Sequence, residues 1–226
     1  TAAKMKSVAD AVLALAAPAT VDFSEVVYES TTFPNSFKSN ANLAGIVFPQ
    51  NVTATASAAF QKTGMTSVTV LKDISYGSNA FDSCASLVSV TVEEGVTEIG
   101  NYMFQNTKLT DVTLPNSVTK IGASAFNGCS LTTINFGQGV KTIENSAFQN
   151  CGELTEIILP DATETLGQNA FGDCPKLAKI SLGKNMKTLE AYCFVGYSKG
   201  CPLLGDIICR ATTPPTLKDD YGTGPF

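Results

Sequence analysis

Histidine is absent from this chain of 226 residues, and its absence excludes the commonest kinds of catalytic and metal site. Histidine is the side chain used most often as a general base and as a metal ligand, and every Ser–His or Cys–His pair requires it. An enzyme built on this chain would have to work without that side chain. We therefore expect the protein to be non-catalytic.

The chain also lacks long apolar runs, phosphate-binding glycine motifs and an excess of basic side chains. No apolar run reaches the length that spans a membrane, and neither Gly-x-Gly-x-x-Gly nor a Walker sequence occurs. The 15 Lys and Arg residues are outnumbered by 20 Asp and Glu residues, which gives a formal net charge of −5. Nucleic-acid binding needs a concentrated basic surface, so a nucleic-acid partner is not expected.

A phenylalanine recurs at intervals of 21 to 23 residues through most of the chain. The recurring positions are Phe37, Phe60, Phe81, Phe104, Phe126, Phe148, Phe171 and Phe194. A repeat of this length is typical of a solenoid, in which each coil packs only on its neighbours. The spacing predicts about eight stacked coils.

Each repeat follows the template Ala-Phe-x-x-Cys-x-x-Leu-x-x-Ile-x-Leu-Pro-x-x-Val-x-x-Ile-Gly-x-x. Its Leu-x-x-Ile-x-Leu part ends in alternating apolar and Ser or Thr positions, which indicates a half-buried strand. Stacked from coil to coil, such strands must form a parallel sheet. The part around Phe predicts a single helical turn, with a capping residue two positions before Phe. The Val-x-x-Ile part follows a turn and is expected to be irregular.

This template resembles the BspA-like (Treponema pallidum type) leucine-rich repeat, and the sequence at 211–215, Ala-Thr-Thr-Pro-Pro, resembles the way such arrays often end. The resemblance covers residues 37–215. It implies a right-handed leucine-rich repeat solenoid of the α/β class and a bacterial protein that is secreted or held at the cell surface. It also implies adhesion to host or neighbouring-cell proteins, and it brings no catalytic residues.

The two ends of the chain lie outside the clearest repeats. Residues 1–36 are expected to form a capping helix, with apolar residues at helical spacing from Met5 to Val12, and a degenerate first coil. The alternative for the first residues is the remainder of a signal peptide, against which an aspartate in the apolar stretch argues. Residues 37–215 are expected to form the repeats, and residues 216–226 a C-terminal cap or tail.

Seven cysteines, an odd number, cannot all pair within one chain. One template column holds Cys84, Cys129, Cys151 and Cys174. Neighbours in this column are close enough for a disulfide, but side chains in register point in parallel, so a ladder of buried thiols is favoured. Three further cysteines, Cys193, Cys201 and Cys209, are placed outside the column, and a bond between the last two stays open.

No group of side chains in the sequence forms a convincing metal or cofactor site. The cysteine spacings make no zinc motif without histidine. Asp219 and Asp220 are adjacent, but they lack the rest of a calcium-ligand loop. Other carboxylates do not converge, and they are interpreted as solvated surface.

The outward positions of the predicted strands are the candidate binding positions. One column consists of Ser89, Asp111, Thr133, Glu156, Lys179 and Asp206, and the next of Thr91, Thr113, Asn135, Ile158, Ser181 and Ile208. In a curved solenoid these columns line the concave face, where such proteins usually bind. Most members are small and polar, which suits a solvated sheet equally well, but Ile158 and Ile208 are apolar.

We expect a protein or glycan partner on this face, toward its C-terminal coils. The residues expected to contact it are Glu156, Ile158, Lys179, Ser181, Asp206 and Ile208. Two alternatives stay open, a structural spacer that lifts another domain off a surface and a non-catalytic glycan-handling accessory protein. The oligomeric state is not indicated by the sequence.

Overall fold

The computed structural model describes residues 2–195, 198 and 200–218. The elements in chain order are α1 (Ala2–Leu13), β1 (Ala19–Asp22), β2 (Thr32–Phe33), β3 (Leu43–Val47), β4 (Ala54–Thr55), β5 (Ser67–Val70), β6 (Ser89–Val92), β7 (Glu98–Ile99), β8 (Asp111–Thr113), β9 (Lys120–Ile121), β10 (Thr133–Asn135), β11 (Thr142–Ile143), β12 (Glu156–Ile158), β13 (Thr165–Leu166), β14 (Lys179–Leu182), β15 (Thr188–Leu189), β16 (Asp206–Cys209) and β17 (Thr216–Leu217). Equivalent strands of successive coils pair in parallel, so the predicted leucine-rich repeat solenoid is confirmed.

The longer strands form the sheet that the sequence predicted. They pair in parallel as β1-β3, β5-β6, β8-β10 and β12-β14-β16, so four ladders rather than one continuous ladder follow the solenoid. Burial alternates along most of these strands, as the repeat required, whereas all four residues of β16 are exposed. In β12, for example, Ile157 is buried while Glu156 and Ile158 are exposed.

A second parallel sheet lies in the segment that was expected to be irregular. Strands β7, β9, β11, β13, β15 and β17 pair in sequence order, and each consists of two residues. Their second residue is apolar and, from β7 to β15, buried. Burying an equivalent residue in every coil brings the flanking backbone into register, so that Gly122 N–H donates to the Ile99 carbonyl at 2.8 Å. The expectation of an irregular segment here was wrong.

The segment that carries the recurring phenylalanine contains tight turns instead of the predicted helical turn. In the coil of Phe126, the amides of Ala125, Asn127 and Cys129 donate to carbonyls three residues earlier, each at 3.2 Å. Ser124 and Gly128 have φ of 54° and 72°, in the left-handed region. Because of these left-handed residues, alternate amides of the segment point out of the coil. In a helical turn, every amide would instead point along the axis of the turn toward an earlier carbonyl of the same segment.

The outward amides of this segment all donate in one direction along the solenoid. The N–H groups of Ser124 and Phe126 bond to the carbonyls of Asn145 and Ala147 in the following coil, at 2.9 and 2.8 Å. The same pattern occurs in six consecutive coils, beginning with that of Phe60. Because the peptide dipoles are aligned, they add along the axis as they do in an α-helix. The positive end of the column faces the C-terminus.

The phenylalanine rings form a continuous stack through the core. From Phe60 to Phe171, neighbouring rings lie 5.2–5.7 Å apart, with interplanar angles of 5–20°. At the N-terminal end the stack includes Phe33, whose ring lies 6.0 Å from Phe37 and 5.8 Å from Phe60. Phe33 stands outside the recurring phenylalanine positions of the sequence.

Helix α1 packs on the first coil. Its Met5, Ala9 and Val12 side chains are buried and belong to the same apolar core as the coils. The Asn40 amide donates to the Ala9 carbonyl at 2.7 Å, and Asn42 donates to the Leu13 carbonyl at 2.9 Å. A helix therefore occupies the start of the chain, and its role as a cap stays a prediction. The expected tail beyond residue 218 lies outside the described residues.

Candidate binding face

The six candidate binding residues lie on three adjacent, hydrogen-bonded strands. Their register pairs Glu156 with Lys179 and Lys179 with Asp206, and it pairs Ile158 with Ser181 and Ser181 with Ile208. We call the outward surface of β12, β14 and β16 the C-terminal strand face. The structure therefore brings the predicted residues together, because equivalent template positions of stacked coils must be neighbours.

Both isoleucines of this face are accessible to solvent. Ile158 is 59% exposed and Ile208 is 46% exposed, while Ser181 between them is half-buried. The two apolar side chains thus flank a small polar one on neighbouring strands. Exposed isoleucines are ordinary one at a time, so this arrangement matters only because charged side chains adjoin it.

The lysine of this face is already engaged in an ion pair. Lys179 Nζ lies 2.7 Å from Glu156 Oε1, and this hydrogen bond and the charge of Glu156 raise the pKa of Lys179, with a smaller contribution from Asp206. Both partners of the pair are about 40% exposed, so the pair contributes little stability. A ligand that pairs with Lys179 must compete with Glu156.

An arginine that the sequence did not single out borders the same face. Arg210 follows β16 and lines a groove together with Ile158, Pro160 and Asp161. Its guanidinium group donates to two backbone carbonyls, those of Leu182 at 3.2 Å and Leu159 at 2.9 Å. Arg210 lies outside the repeat template, so the template does not identify it as a candidate, although it is the only arginine in the chain.

The acidic residues of one coil pair with lysines 23 positions later. The pairs are Glu153–Lys176 at 2.6 Å, Glu156–Lys179 at 2.7 Å, Asp161–Lys184 at 2.9 Å and Glu164–Lys187 at 2.7 Å. The hydrogen bonds to these lysines lower the pKa values of Asp161 and Glu164. The sequence pattern indicates solvated surface for these carboxylates, but their constant offset of 23 residues from a lysine equals one coil and is the signal in the sequence that reveals the pairing.

The buried carboxylates of the described residues lie far apart, in different coils. Asp82 accepts a hydrogen bond from Ser83 Oγ at 2.8 Å, and Asp173 accepts from the amides of Ser198 and Gly200 at 2.9 Å. Asp173 lies at the C-terminal end of the column of aligned turn amides. This is the positive end of the column, where a carboxylate is stabilised. The part of the chain that the structure describes contains no cluster of three or more metal-ligating side chains. It also contains no helix of the length and hydropathy that crossing a membrane requires.

The sequence profile of the BspA type leucine rich repeat region matches residues 19–76 and 74–200, in six copies. The chain belongs to this family. The match begins at residue 19, upstream of the first legible repeat at Phe37 and at the start of β1. No curated protein is significantly similar to this BspA-type protein in sequence.

Solved structures of bacterial leucine-rich repeat proteins share the fold of this BspA-type chain. A leucine rich cell surface protein from Faecalibacterium prausnitzii is 22% identical with a TM-score of 0.58, over 85% of this chain and 60% of that one. A leucine-rich repeat protein from Eubacterium ventriosum is 22% identical with a TM-score of 0.54, over 85% of this chain and 62% of that one. The chain thus spans about three fifths of the length of these two proteins.

The cysteine column of this BspA-type protein is a ladder of unpaired thiols, all of them buried except that of Cys201, which is half-buried. The thiols of Cys84, Cys129, Cys151, Cys174 and Cys201 each donate to the carbonyl of the phenylalanine that heads the preceding coil, at 3.1–3.3 Å. Cys201 belongs to this column, contrary to the sequence-based placement, because extra residues after Phe194 shift it along the chain. Neither Cys201 nor Cys209 forms a disulfide.

Thiol reactivity tests this ladder. Burial raises the pKa of Cys129 to about 11 and that of Cys193 to about 12, and thiolate is the reactive form, whereas Cys209 is exposed. We expect dithionitrobenzoate at pH 8 to modify one thiol of the native protein quickly and all seven after denaturation. Cys209→Ser should remove the fast phase. Several fast thiols in the native protein would contradict the ladder.

Proposed function

We propose that this protein is a non-catalytic bacterial surface or secreted protein that binds a host or neighbouring-cell protein or glycan through its C-terminal strand face, as an adhesin does. The observation that carries the proposal is the register of Glu156, Lys179 and Asp206 beside that of Ile158, Ser181 and Ile208. Buried template positions maintain the fold, while these outward positions carry side chains that the packing does not require.

The composition of the face supports a macromolecular partner. Two exposed isoleucines supply apolar area, and the surrounding acids and lysine supply polar contacts at the rim, which is the usual anatomy of an interface. The strands further toward the N-terminus carry small polar residues such as Thr91 and Thr113 at equivalent positions. They leave a shallow surface that suits an extended chain better than a small molecule.

Two other functions remain alternatives to adhesion. A structural spacer would use the solenoid only for length, and it would show no selective partner. A non-catalytic glycan-handling accessory protein would bind saccharide alone. The mixed apolar and charged face favours adhesion over a spacer, because a spacer gains nothing from exposed isoleucines.

The binding proposal is tested by a capture experiment with a double variant. Purified protein is used to capture partners from host matrix and co-resident cells, and the wild type is compared with Ile158→Asp, Lys179→Glu. We expect the double variant to bind the captured partner at least about tenfold more weakly than the wild type does. This corresponds to a loss of about 1.4 kcal/mol of binding free energy. Ile158→Asp removes apolar area and adds a carboxylate, and Lys179→Glu places another carboxylate between Glu156 and Asp206.

A matched control separates loss of the face from loss of the fold. Thr113→Asp, Asp111→Lys alters the same two columns on β8, and both of its positions are exposed. We expect this variant to bind as the wild type does, and all three proteins to have similar melting midpoints. A double variant that keeps every partner would place the binding site elsewhere, and a wild type that captures nothing selectively would support the spacer.

A further inference from the structure

The guanidinium group of Arg210 is held in a fixed position at the edge of the C-terminal strand face. Its Nε donates to the carbonyl of Leu182 at 3.2 Å, and its Nη2 donates to the carbonyl of Leu159 at 2.9 Å. These carbonyls belong to the two preceding coils, so the side chain crosses both of them. A guanidinium has five N–H donors, and these carbonyls engage two of them.

The charge around this guanidinium is unbalanced in favour of an incoming anion. Among the described residues, Asp161 supplies the carboxylate that pairs with it, at 3.4 Å, but the same carboxylate lies 2.9 Å from Lys184. Two cations therefore share one carboxylate, in a protein whose net charge is −5. A second carboxylate would complete the pairing, and the planar guanidinium can bind it through two parallel hydrogen bonds.

The groove beside Arg210 combines this cation with apolar surface and neutral hydrogen-bonding groups. Asn135, Gln138, Ile158 and Arg210 all line it, and Pro160 is among its buried residues. Ile158 is the residue of the groove with the largest exposed apolar side chain. The groove thus offers an apolar contact next to an anion site.

We propose that this groove receives an extended polypeptide segment in which an Asp or Glu and an aliphatic residue stand two positions apart, so that both side chains point to the same side. The carboxylate binds Arg210, and the aliphatic side chain packs on Ile158. This inference rests on the proposed function and specifies its partner. A polypeptide fits better than a saccharide, because sugar rings pack on exposed aromatic faces and Phe136, the one aromatic side chain among the described residues that line the groove, is 2% exposed.

The unique arginine provides a direct readout in the unmodified protein. Since the chain contains one arginine, its Nε–H group gives one unambiguous arginine signal in a ¹⁵N-labelled sample. The probes are acetyl-Glu-Ala-Leu-amide and the isosteric acetyl-Gln-Ala-Leu-amide, titrated into the wild-type protein. We expect the Glu probe to shift this signal saturably, with a dissociation constant at least about tenfold smaller than that of the Gln probe.

Two variants connect the binding to the groove. Ile158→Ser should lower the affinity for the Glu probe several-fold, because it removes the apolar contact. It should leave the Arg210 signal of the free protein unchanged. Thr91→Ser, on the same template column but three coils before Ile158, should change nothing. Each variant is first checked for an unaltered melting midpoint.

The remaining outcomes each overturn the inference. Equal affinity for the Glu and Gln probes, or no shift of the Arg210 signal at any probe concentration, would leave Arg210 with a purely structural role. Tighter binding of methyl glucuronide than of the Glu probe would assign the groove to an acidic saccharide. If the capture experiment nevertheless loses its partner in Ile158→Asp, Lys179→Glu, the proposed function stands and only the carboxylate specificity fails.

Discussion

Phe126→Ala should lower the free energy of unfolding by about 3–5 kcal/mol, as measured by chemical denaturation. Phe126 is fully buried, and its ring stacks on Phe104 at 5.5 Å and on Phe148 at 5.2 Å. Truncation removes the ring from the middle of the stack and leaves a cavity between neighbouring coils. The coils cannot collapse into it, because hydrogen bonds on both sides of the phenylalanine fix their spacing.

Two comparisons make this result specific to the stack. Phe126→Leu should lose less stability than Phe126→Ala, since leucine refills much of the volume. Val88→Ala, at a side chain that is 49% exposed, should change the free energy of unfolding by no more than about 0.5 kcal/mol. An unchanged melting midpoint for Phe126→Ala would refute the packing role of the ring.

Gly139→Ala should destabilise the protein by about 3 kcal/mol, although it adds one methyl group. A Cβ at this position would overlap the carbonyl oxygen of Asn116 and lie 2.9 Å from that of Val118. Both atoms are backbone atoms of the preceding coil, so no side-chain rotation can relieve the overlap. The coils would have to separate at the turn that follows β10.

Gly152→Ala is the matched control for this prediction. A Cβ on Gly152 would meet nothing within 4 Å, and its φ is not positive, so we expect a change of no more than about 0.5 kcal/mol. The two variants add the same methyl group and differ only in whether it meets other atoms. Their denaturation midpoints are to be measured side by side. Equal midpoints would show that the distance between coils at Gly139 is not constrained.

For the candidate face, the sequence predicts which outward residues form columns, but it does not predict the arginine beside them. The spacing of Glu156, Lys179 and Asp206 made them neighbours, because coils that repeat a template must place equivalent residues side by side. Arg210 could not be predicted, since it lies beyond the last complete repeat. Its contact with the Leu159 carbonyl joins residues 51 positions apart.

By itself, the sequence determined which positions are buried and which strands stack, because a period of 21 to 23 residues allows one way of burying Phe, Leu and Ile in every coil. Only the tertiary structure decided how the backbone between these positions is hydrogen-bonded. The left-handed residues such as Ser124, the two-residue strands and the entry of Cys201 into the thiol column all depend on a neighbouring coil. The physical reason is that local preferences favour a helical turn around Phe. Stacked coils instead stabilise a backbone that directs alternate amides to the next coil, because those amides form hydrogen bonds with its carbonyls.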